Sequence, residues 1–195
     1  MNIHQLSLRY LPEQDRILLS VNTTDGQELD LWLTRRMCLA LGPQLNRMTI
    51  DHFAVPANAK SDGCVDLAAL DFSARKVLVN FRREELLQHA DFKTPYRANT
   101  GSRPLGHTPL LATEISMTPS TDQQVVIDFK EQIDAAGSSR AVQLALQPQL
   151  VFSLVQMLDQ ALKHTQWLST GDATGLPGPA DDTILPDPDQ PRYLN

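Results

Sequence analysis

The chain has 195 residues, of which 42% are hydrophobic and 21% are charged, and this composition is typical of a globular protein with one core. No run approaches the roughly 20 apolar residues that cross a bilayer, and the first residues lack the basic and apolar segments of a secretory signal. We therefore expect a cytoplasmic protein that makes no contact with a membrane.

Residues 1–50 are predicted to form three strands and a helix. Apolar residues alternate along the second and third strands and then recur at helical spacing. These positions are Ile17, Leu19, Val21, Leu29, Leu31 and Leu33 in the strands, and Met37, Leu41 and Leu45 in the helix. The first strand ends at Tyr10 and turns through residues 11–15, and Thr24-Asp25-Gly26 is a tight hairpin signal between the other two.

Residues 51–108 form a connector that carries most of the local positive charge. Its stretch 71–90 is predicted to be a helix, with apolar residues recurring on one face at Ala74, Val77, Leu78 and Phe81. The alternation of Val77, Val79 and Phe81 leaves a strand over residues 76–82 as the alternative. Residues 93–108 are rich in Pro, Gly, Thr and Asn and are predicted to be an extended loop.

Residues 109–168 repeat the pattern of the first unit. Val142, Leu144 and Leu146 alternate, and Leu150, Leu154 and Leu158 follow at helical spacing, so that six positions match the first unit at one constant offset. Because the matched identity is mostly apolar character, a chance likeness between two small α+β units is the alternative. The helix of this second unit has an apolar surface wide enough to contact two neighbouring elements, one of which could belong to a second subunit of a homodimer.

Residues 169–195 are predicted to be a disordered acidic tail. From residue 171 onward the chain holds five Asp residues, one Arg and five Pro residues, which leaves the rest of the chain with a formal charge near −2 out of a total of −6. Such a stretch buries too little apolar surface to offset its ordering entropy. We also consider the hypothesis that this acidic tail forms ion pairs with the basic connector of the same chain until a binding partner displaces it.

The sequence contains none of the common catalytic motifs. The five His residues are dispersed, and neither a Gly-rich phosphate loop, a Gly-x-Ser-x-Gly turn, a His-Glu-x-x-His pair nor a Cys-x-x-Cys pair occurs. Cys38 lies beside the apolar stripe of the first helix and is predicted to be a buried, inert thiol. We therefore expect a protein that has no catalytic activity and binds neither a metal ion nor a cofactor. An enzyme site assembled only by folding, around His89, His107 or Cys64, stays as a third hypothesis.

Two sets of residues are candidates for binding. Leu18 and Trp32 are apolar residues on the outer, otherwise polar face of the first three strands, and they indicate either a protein contact or packing against the second unit or the connector. The alternative is a single-stranded nucleic-acid site in which basic residues alternate with aromatic ones. Its residues are Arg75, Lys76, Arg82, Arg83, Phe92, Tyr96 and Arg97.

Three segments carry a resemblance to a family of uncharacterised proteobacterial proteins. These segments are Tyr10-Leu11-Pro12-Glu13-Gln14-Asp15-Arg16, Leu31-Trp32-Leu33-Thr34-Arg35-Arg36 and Ala90-Asp91-Phe92-Lys93-Thr94-Pro95-Tyr96, and the resemblance covers residues 1–168. That family has no assigned activity, so the resemblance implies none here. The outline is also similar to the sheet-plus-helix repeats of Whirly and PUR proteins, which bind single-stranded nucleic acid, but this chain is acidic and shows three strands per unit.

The predicted fold is α+β, with two pseudo-symmetric β-β-β-α repeats that form antiparallel sheets with helices on one face, joined by the helical connector. Two units of this kind form either one continuous sheet or two packed sheets, and we expect the continuous one, with each helix on its own three strands. The predicted function is a noncatalytic binding or adaptor protein that acts through protein–protein contacts. The alternative is the nucleic-acid-binding protein described above.

Overall fold

The structure is a computed structural model that describes residues 3–54, 70–88, 90–92, 94–98, 101–120, 122–133, 138–165 and 167. It confirms the α+β class. In chain order the elements are β1 (Ile3–Leu11), a 3₁₀ turn (Pro12–Gln14), β2 (Arg16–Thr23), β3 (Glu28–Thr34), α1 (Arg35–Phe53), α2 (Phe72–Gln88), β4 (Leu110–Leu111), β5 (Glu114–Pro119), β6 (Val125–Gln132), β7 (Ser139–Leu146) and α3 (Pro148–Thr165). No helix in these ranges is long and apolar enough to cross a bilayer. The predicted tail at 169–195 lies outside the described residues.

The first sheet has the order β1-β2-β3-β4, with antiparallel pairing among the first three strands and parallel pairing of β4 with β3. Its inner face is formed by the predicted alternating residues of β2 and β3, all of which are buried. Burial of each such Leu or Ile side chain contributes about 1.5–3 kcal/mol. The hairpin turns are fixed by left-handed residues, Asp15 with φ 49° and Gly26 with φ 78°.

The second sheet has the order β5-β6-β7 and is antiparallel throughout. Val125, Ile127 and Phe129 alternate along its central strand and are fully buried. Opposite them on β7, Leu144 and Leu146 are also buried, so this sheet supplies the second half of a single hydrophobic core.

The two sheets are separate, which corrects the expectation of one continuous sheet. The chain pairs with β3 through β4, and the Ala112 N–H still donates to the Trp32 carbonyl at 3.0 Å. One residue later the Thr113 N–H donates to the Lys130 carbonyl of β6 at 2.9 Å. Because one extended segment changes partners between these two residues, neither sheet's hydrogen-bond ladder continues into the other.

The helices lie across both sheets, so the expectation that each helix packs on its own three strands is wrong. Helix α1 contacts β2 and β3 but also β5, and α3 contacts β7 but packs more extensively on β1. The wide apolar surface of α3 is thereby covered within the chain, by β1, α1 and α2. The physical reason is that each helix stripe is wider than one three-stranded face, so it spans the junction.

The end of α3 is fastened to the β1–β2 turn by a small polar and aromatic cluster. The Trp167 indole N–H donates to Asp15 Oδ1 at 2.6 Å, and the Tyr10 hydroxyl donates to the same oxygen at 3.1 Å. The rings of Tyr10 and Trp167 meet edge to face with centroids 5.6 Å apart. Arg35 Nη2 donates to the Trp167 carbonyl at 3.3 Å. This cluster joins the end of α3 to the first unit, residues 1–50.

We expect Trp167→Phe to lower the free energy of unfolding by about 1–2 kcal/mol, because a smaller aromatic ring still occupies the position but the charge-assisted hydrogen bond is lost. Urea unfolding followed by circular dichroism measures this change. Asp15→Asn retains a residue type that tolerates the left-handed backbone. If the effects of the two substitutions simply add in the double variant, the two side chains are not coupled and this interpretation is wrong.

Candidate functional site

Helix α2 is fastened by arginines on its inner side. Its first turn is capped by Asp71, whose Oδ1 accepts from the Ala74 N–H at 2.8 Å. Arg75 Nε donates to the Leu70 carbonyl at 3.0 Å, and Arg82 Nη1 donates to the Phe53 carbonyl at 3.3 Å. The last carbonyls of α1 lack helical partners and carry partial negative charge, so a guanidinium is favourable there.

A second set of contacts fixes the same side of α2. Arg82 Nη2 donates to Gln123 Oε1 at 3.1 Å in the β5–β6 turn, and Arg75 Nη1 lies 3.9 Å from Asp51 Oδ1 of α1. Val79 lies between the two arginines in sequence and is 3% exposed, and it is the one buried residue of α2. Two Leu residues near the C-terminal end of α2 are also partly buried against the core, so hydrogen bonds and apolar packing together position the helix.

The predicted apolar stripe of α2 faces away from the rest of the protein. Its larger members are exposed, with Val77 at 68%, Leu78 at 40% and Phe81 at 72%. Glu84 and Glu85 extend the same surface toward the C-terminal end and are also exposed. We call the surface of Val77, Leu78, Phe81, Glu84 and Glu85 the outer face of α2. Residues 76–82 are helical, and not the strand that was the alternative.

Leu18 and Trp32 lie side by side on the outer face of the first sheet, as the strand alternation requires. Leu111 continues the row on β4, and all three side chains are half-buried. The guanidinium carbon of Arg16 lies 5.2 Å from the centre of the Trp32 ring, in cation–π geometry. This row is therefore less accessible than the outer face of α2.

The polar half of the same sheet face is covered by a segment that we call the strap, residues 94–103, of which 94–98 and 101–103 are described. Arg103 donates from Nη2 to Glu28 Oε2 at 3.0 Å and from Nη1 to Asp30 Oδ2 at 3.1 Å. The Tyr96 hydroxyl donates to Glu28 Oε1 at 3.4 Å. The Glu28 side chain is 3% exposed, so this carboxylate is buried together with its partners.

The candidate nucleic-acid residues are divided among α2, the strap and Phe92, which lies between them in sequence. Those on α2 lie beside α1 and α3, whereas Tyr96 and Arg97 are on the strap, against the outer face of the first sheet. The Tyr96 hydroxyl donates to the Glu28 carboxylate, the Arg97 N–H donates to the Gln5 side chain, and the Arg97 carbonyl accepts from the Asn22 side chain. On α2, Lys76 is exposed and Arg83 is half-buried, while Phe92 is 44% exposed beyond the helix.

Of the groups considered for catalysis, the structure describes Cys38 and His107. Cys38 is fully buried, and burial raises the pKa of its thiol to about 12, so the reactive thiolate is disfavoured. His107 is exposed, and His89 and Cys64 lie outside the described residues. Across the described ranges, no group of three His, Cys, Asp or Glu residues could hold a metal ion.

A comparison of the chain with protein-family models, with curated proteins and with solved structures finds no match.

We expect Arg103→Met to lower the free energy of unfolding by about 2–3 kcal/mol, since it leaves the buried Glu28 carboxylate without its cation. The loss is smaller than for a fully buried pair because Arg103 is one-third exposed. Arg97→Met is the matched control on the same strap, since its side chain is exposed, and chemical unfolding of both variants measures the difference. Equal losses would show that Arg103 acts only through its aliphatic stem.

The environment of Tyr96 makes the free energy of unfolding depend on pH. Burial, and then the Glu28 and Asp30 carboxylates, raise the pKa of its hydroxyl above the ordinary value of 10. The folded state therefore holds its proton more tightly than the unfolded state, so the associated stability is present below pH 10 and decreases as pH rises beyond it. Chemical unfolding of wild type and Tyr96→Phe from pH 8 to 11 should show a difference that shrinks with pH. A constant difference would contradict this.

Proposed function

We propose that the chain is a noncatalytic binding or adaptor protein that acts through protein–protein contacts and engages its partner with the outer face of α2. The observation that carries the proposal is the exposure of Val77 and Phe81, about 70% each, on a helix whose inner side bears arginines. Contiguous apolar side chains that remain exposed on a folded protein commonly mark interaction sites.

The spacing of this surface favours one mode of recognition. Ala74, Val77, Leu78 and Phe81 follow the i, i+3, i+4, i+7 pattern with which an amphipathic helix enters a hydrophobic groove. We therefore propose that the outer face of α2 enters a hydrophobic groove on a partner protein. Because Glu84 and Glu85 continue the surface, the rim of that groove should be basic at the end that meets them.

A second copy of the chain fits this surface less well. A helix of 17 residues is about 26 Å long, and one face of it offers few side chains. Stable interfaces bury about 800 Å² on each partner. The outer face of α2 alone therefore favours a weaker contact with a groove that surrounds it.

The nucleic-acid alternative has less support from the contacts. Arg75 and Arg82, two of its four basic residues on α2, donate to main-chain carbonyls of the protein itself. A phosphate at either residue would compete with these bonds for the guanidinium. We retain a cytoplasmic location as part of the proposal, because the chain has two Cys residues and Cys38 is a free, buried thiol.

We also infer that β1-β2-β3-α1 and β5-β6-β7-α3 are two copies of one unit. The supporting observations are the same element order, the six apolar positions at one offset, and the reciprocal contacts in which each helix reaches the first strand of the other unit. Helix α2 lies between the copies in sequence and has no counterpart in the proposed repeat, which fits a role in binding.

Affinity capture of the full chain from lysate of its native host, with nuclease present, tests the proposal. We expect one defined partner to be retained by wild type and to bind Phe81→Gln at least about tenfold more weakly, as for a central apolar anchor. Ile133→Gln is the matched control, since Ile133 is 58% exposed at the end of the second sheet. Reversing both charges, Glu84→Lys with Glu85→Lys, should also weaken binding.

The proposal is wrong if the same proteins are recovered with Phe81→Gln as with wild type. Recovery limited to nucleic-acid proteins that disappear with nuclease would favour the alternative function. A dimer in light scattering that Phe81→Gln dissociates would show that the outer face of α2 binds a second copy, and would overturn the proposed groove.

A further inference from the structure

The inner side of α2 borders a cleft of about 350 Å³ at the place where the three helices meet. Its floor is apolar and well buried, formed by Val79, Phe152 and Val155. This volume lies at the lower end of the range of about 300–1,000 Å³ that is usual for small-molecule sites. The cleft faces away from the outer face of α2.

The side chains around this floor recur at helical spacing on two helices. On α1, Asn46, Thr49 and Ile50 line one wall, at positions i, i+3 and i+4. The Thr49 hydroxyl already donates to the Asn46 carbonyl at 2.7 Å, so it does not require a ligand. The α1 wall therefore offers an apolar surface and the Asn46 amide.

The α2 wall carries two cations. Lys76, Asn80 and Arg83 occur at i, i+4 and i+7, and all three line the cleft. Neither Lys76 nor Arg83 has an ion pair or hydrogen bond among the described residues, in contrast to Arg75 and Arg82 on the same helix. Two unpaired cations beside an apolar floor favour a ligand that has an anionic group and a hydrocarbon part.

We propose that this cleft binds a small amphiphilic carboxylate, with the hydrocarbon part against Val79, Phe152 and Val155 and the carboxylate between Lys76 and Arg83. Arg83 supplies a planar fork for a carboxylate, and Lys76 supplies a mobile point charge at the exposed edge. The Asn80 amide between them can donate a further hydrogen bond. The volume restricts the hydrocarbon part to a short chain or a single ring system.

Calorimetric titration of the full chain with octanoate tests this site, with 1-octanol and octylammonium as probes of the same chain length. We expect saturable binding of octanoate at one site, and at least about tenfold weaker binding of the other two, since they lack the negative charge. Lys76→Gln and Arg83→Gln should each weaken octanoate binding by about tenfold. Lys130→Gln removes the same charge from the second sheet and should leave it unchanged.

Two further variants distinguish binding in this cleft from binding elsewhere on the protein. Asn80→Trp fills the cleft from an exposed position, so it should abolish binding while the protein stays folded by circular dichroism. Phe81→Gln should bind octanoate like wild type, so this site can fail or hold independently of the proposed partner contact. Equal binding of octanoate and 1-octanol, or full affinity in both Lys76→Gln and Arg83→Gln, would overturn the proposal.

Discussion

The buried carboxylate of Glu28 is the constraint on which the path of the connecting chain depends. An isolated ionised carboxylate is strongly unfavourable away from water, so its burial at 3% exposure requires a cation and hydrogen-bond donors. Arg103 provides the cation and one hydrogen bond to Glu28, and its other terminal nitrogen bonds Asp30. The strap therefore lies against the outer face of the first sheet, and the chain that follows it reaches β4 at the free edge of β3.

A second arginine repeats this arrangement at the other sheet. Arg140 of β7 is paired with Glu131 of β6, and its Nη1 donates to the Leu105 carbonyl at 2.9 Å and to the Thr108 carbonyl at 3.3 Å. The chain between the strap and β4 is thus held by guanidinium groups at both ends. The crossing from β3 to β6 is fixed in this way, and α1 and α3 each pack on strands of both sheets.

The sequence predicts those parts of the fold that depend on local periodicity. The alternation in β2 and β3, the Gly26 hairpin and the three helices follow from spacing alone. The division into two sheets does not, because β4 is two residues long and its pairing is nonlocal. The burial of Glu28 does not follow from spacing either, because its partner Arg103 is distant in sequence. The signals for it are the alternating Glu28 and Asp30 and the two Arg residues of the Pro- and Gly-containing strap.

The orientation of α2 shows where periodicity fails for the candidate site. A stripe of apolar residues predicts the buried side of a helix, yet here that stripe is exposed. Arg82 favours this orientation instead. It donates hydrogen bonds to the Phe53 carbonyl at the end of α1 and to the Gln123 side chain in the β5–β6 turn, and an apolar residue could not supply them. No local pattern distinguishes Arg82, which is used internally, from Arg83, which lines the cleft.

This weak packing gives a physical reason for the two sides of α2 to influence each other. Apart from the buried Val79 and the partly buried Leu86 and Leu87, α2 places no large apolar side chain against the core, so its docked position rests on few apolar contacts. A molecule bound in the inner cleft would contact α1, α2 and α3 together and would stabilise the docked helix by mass action. If the partner requires the docked helix, linkage then demands that partner binding and occupancy of the cleft strengthen each other to the same degree.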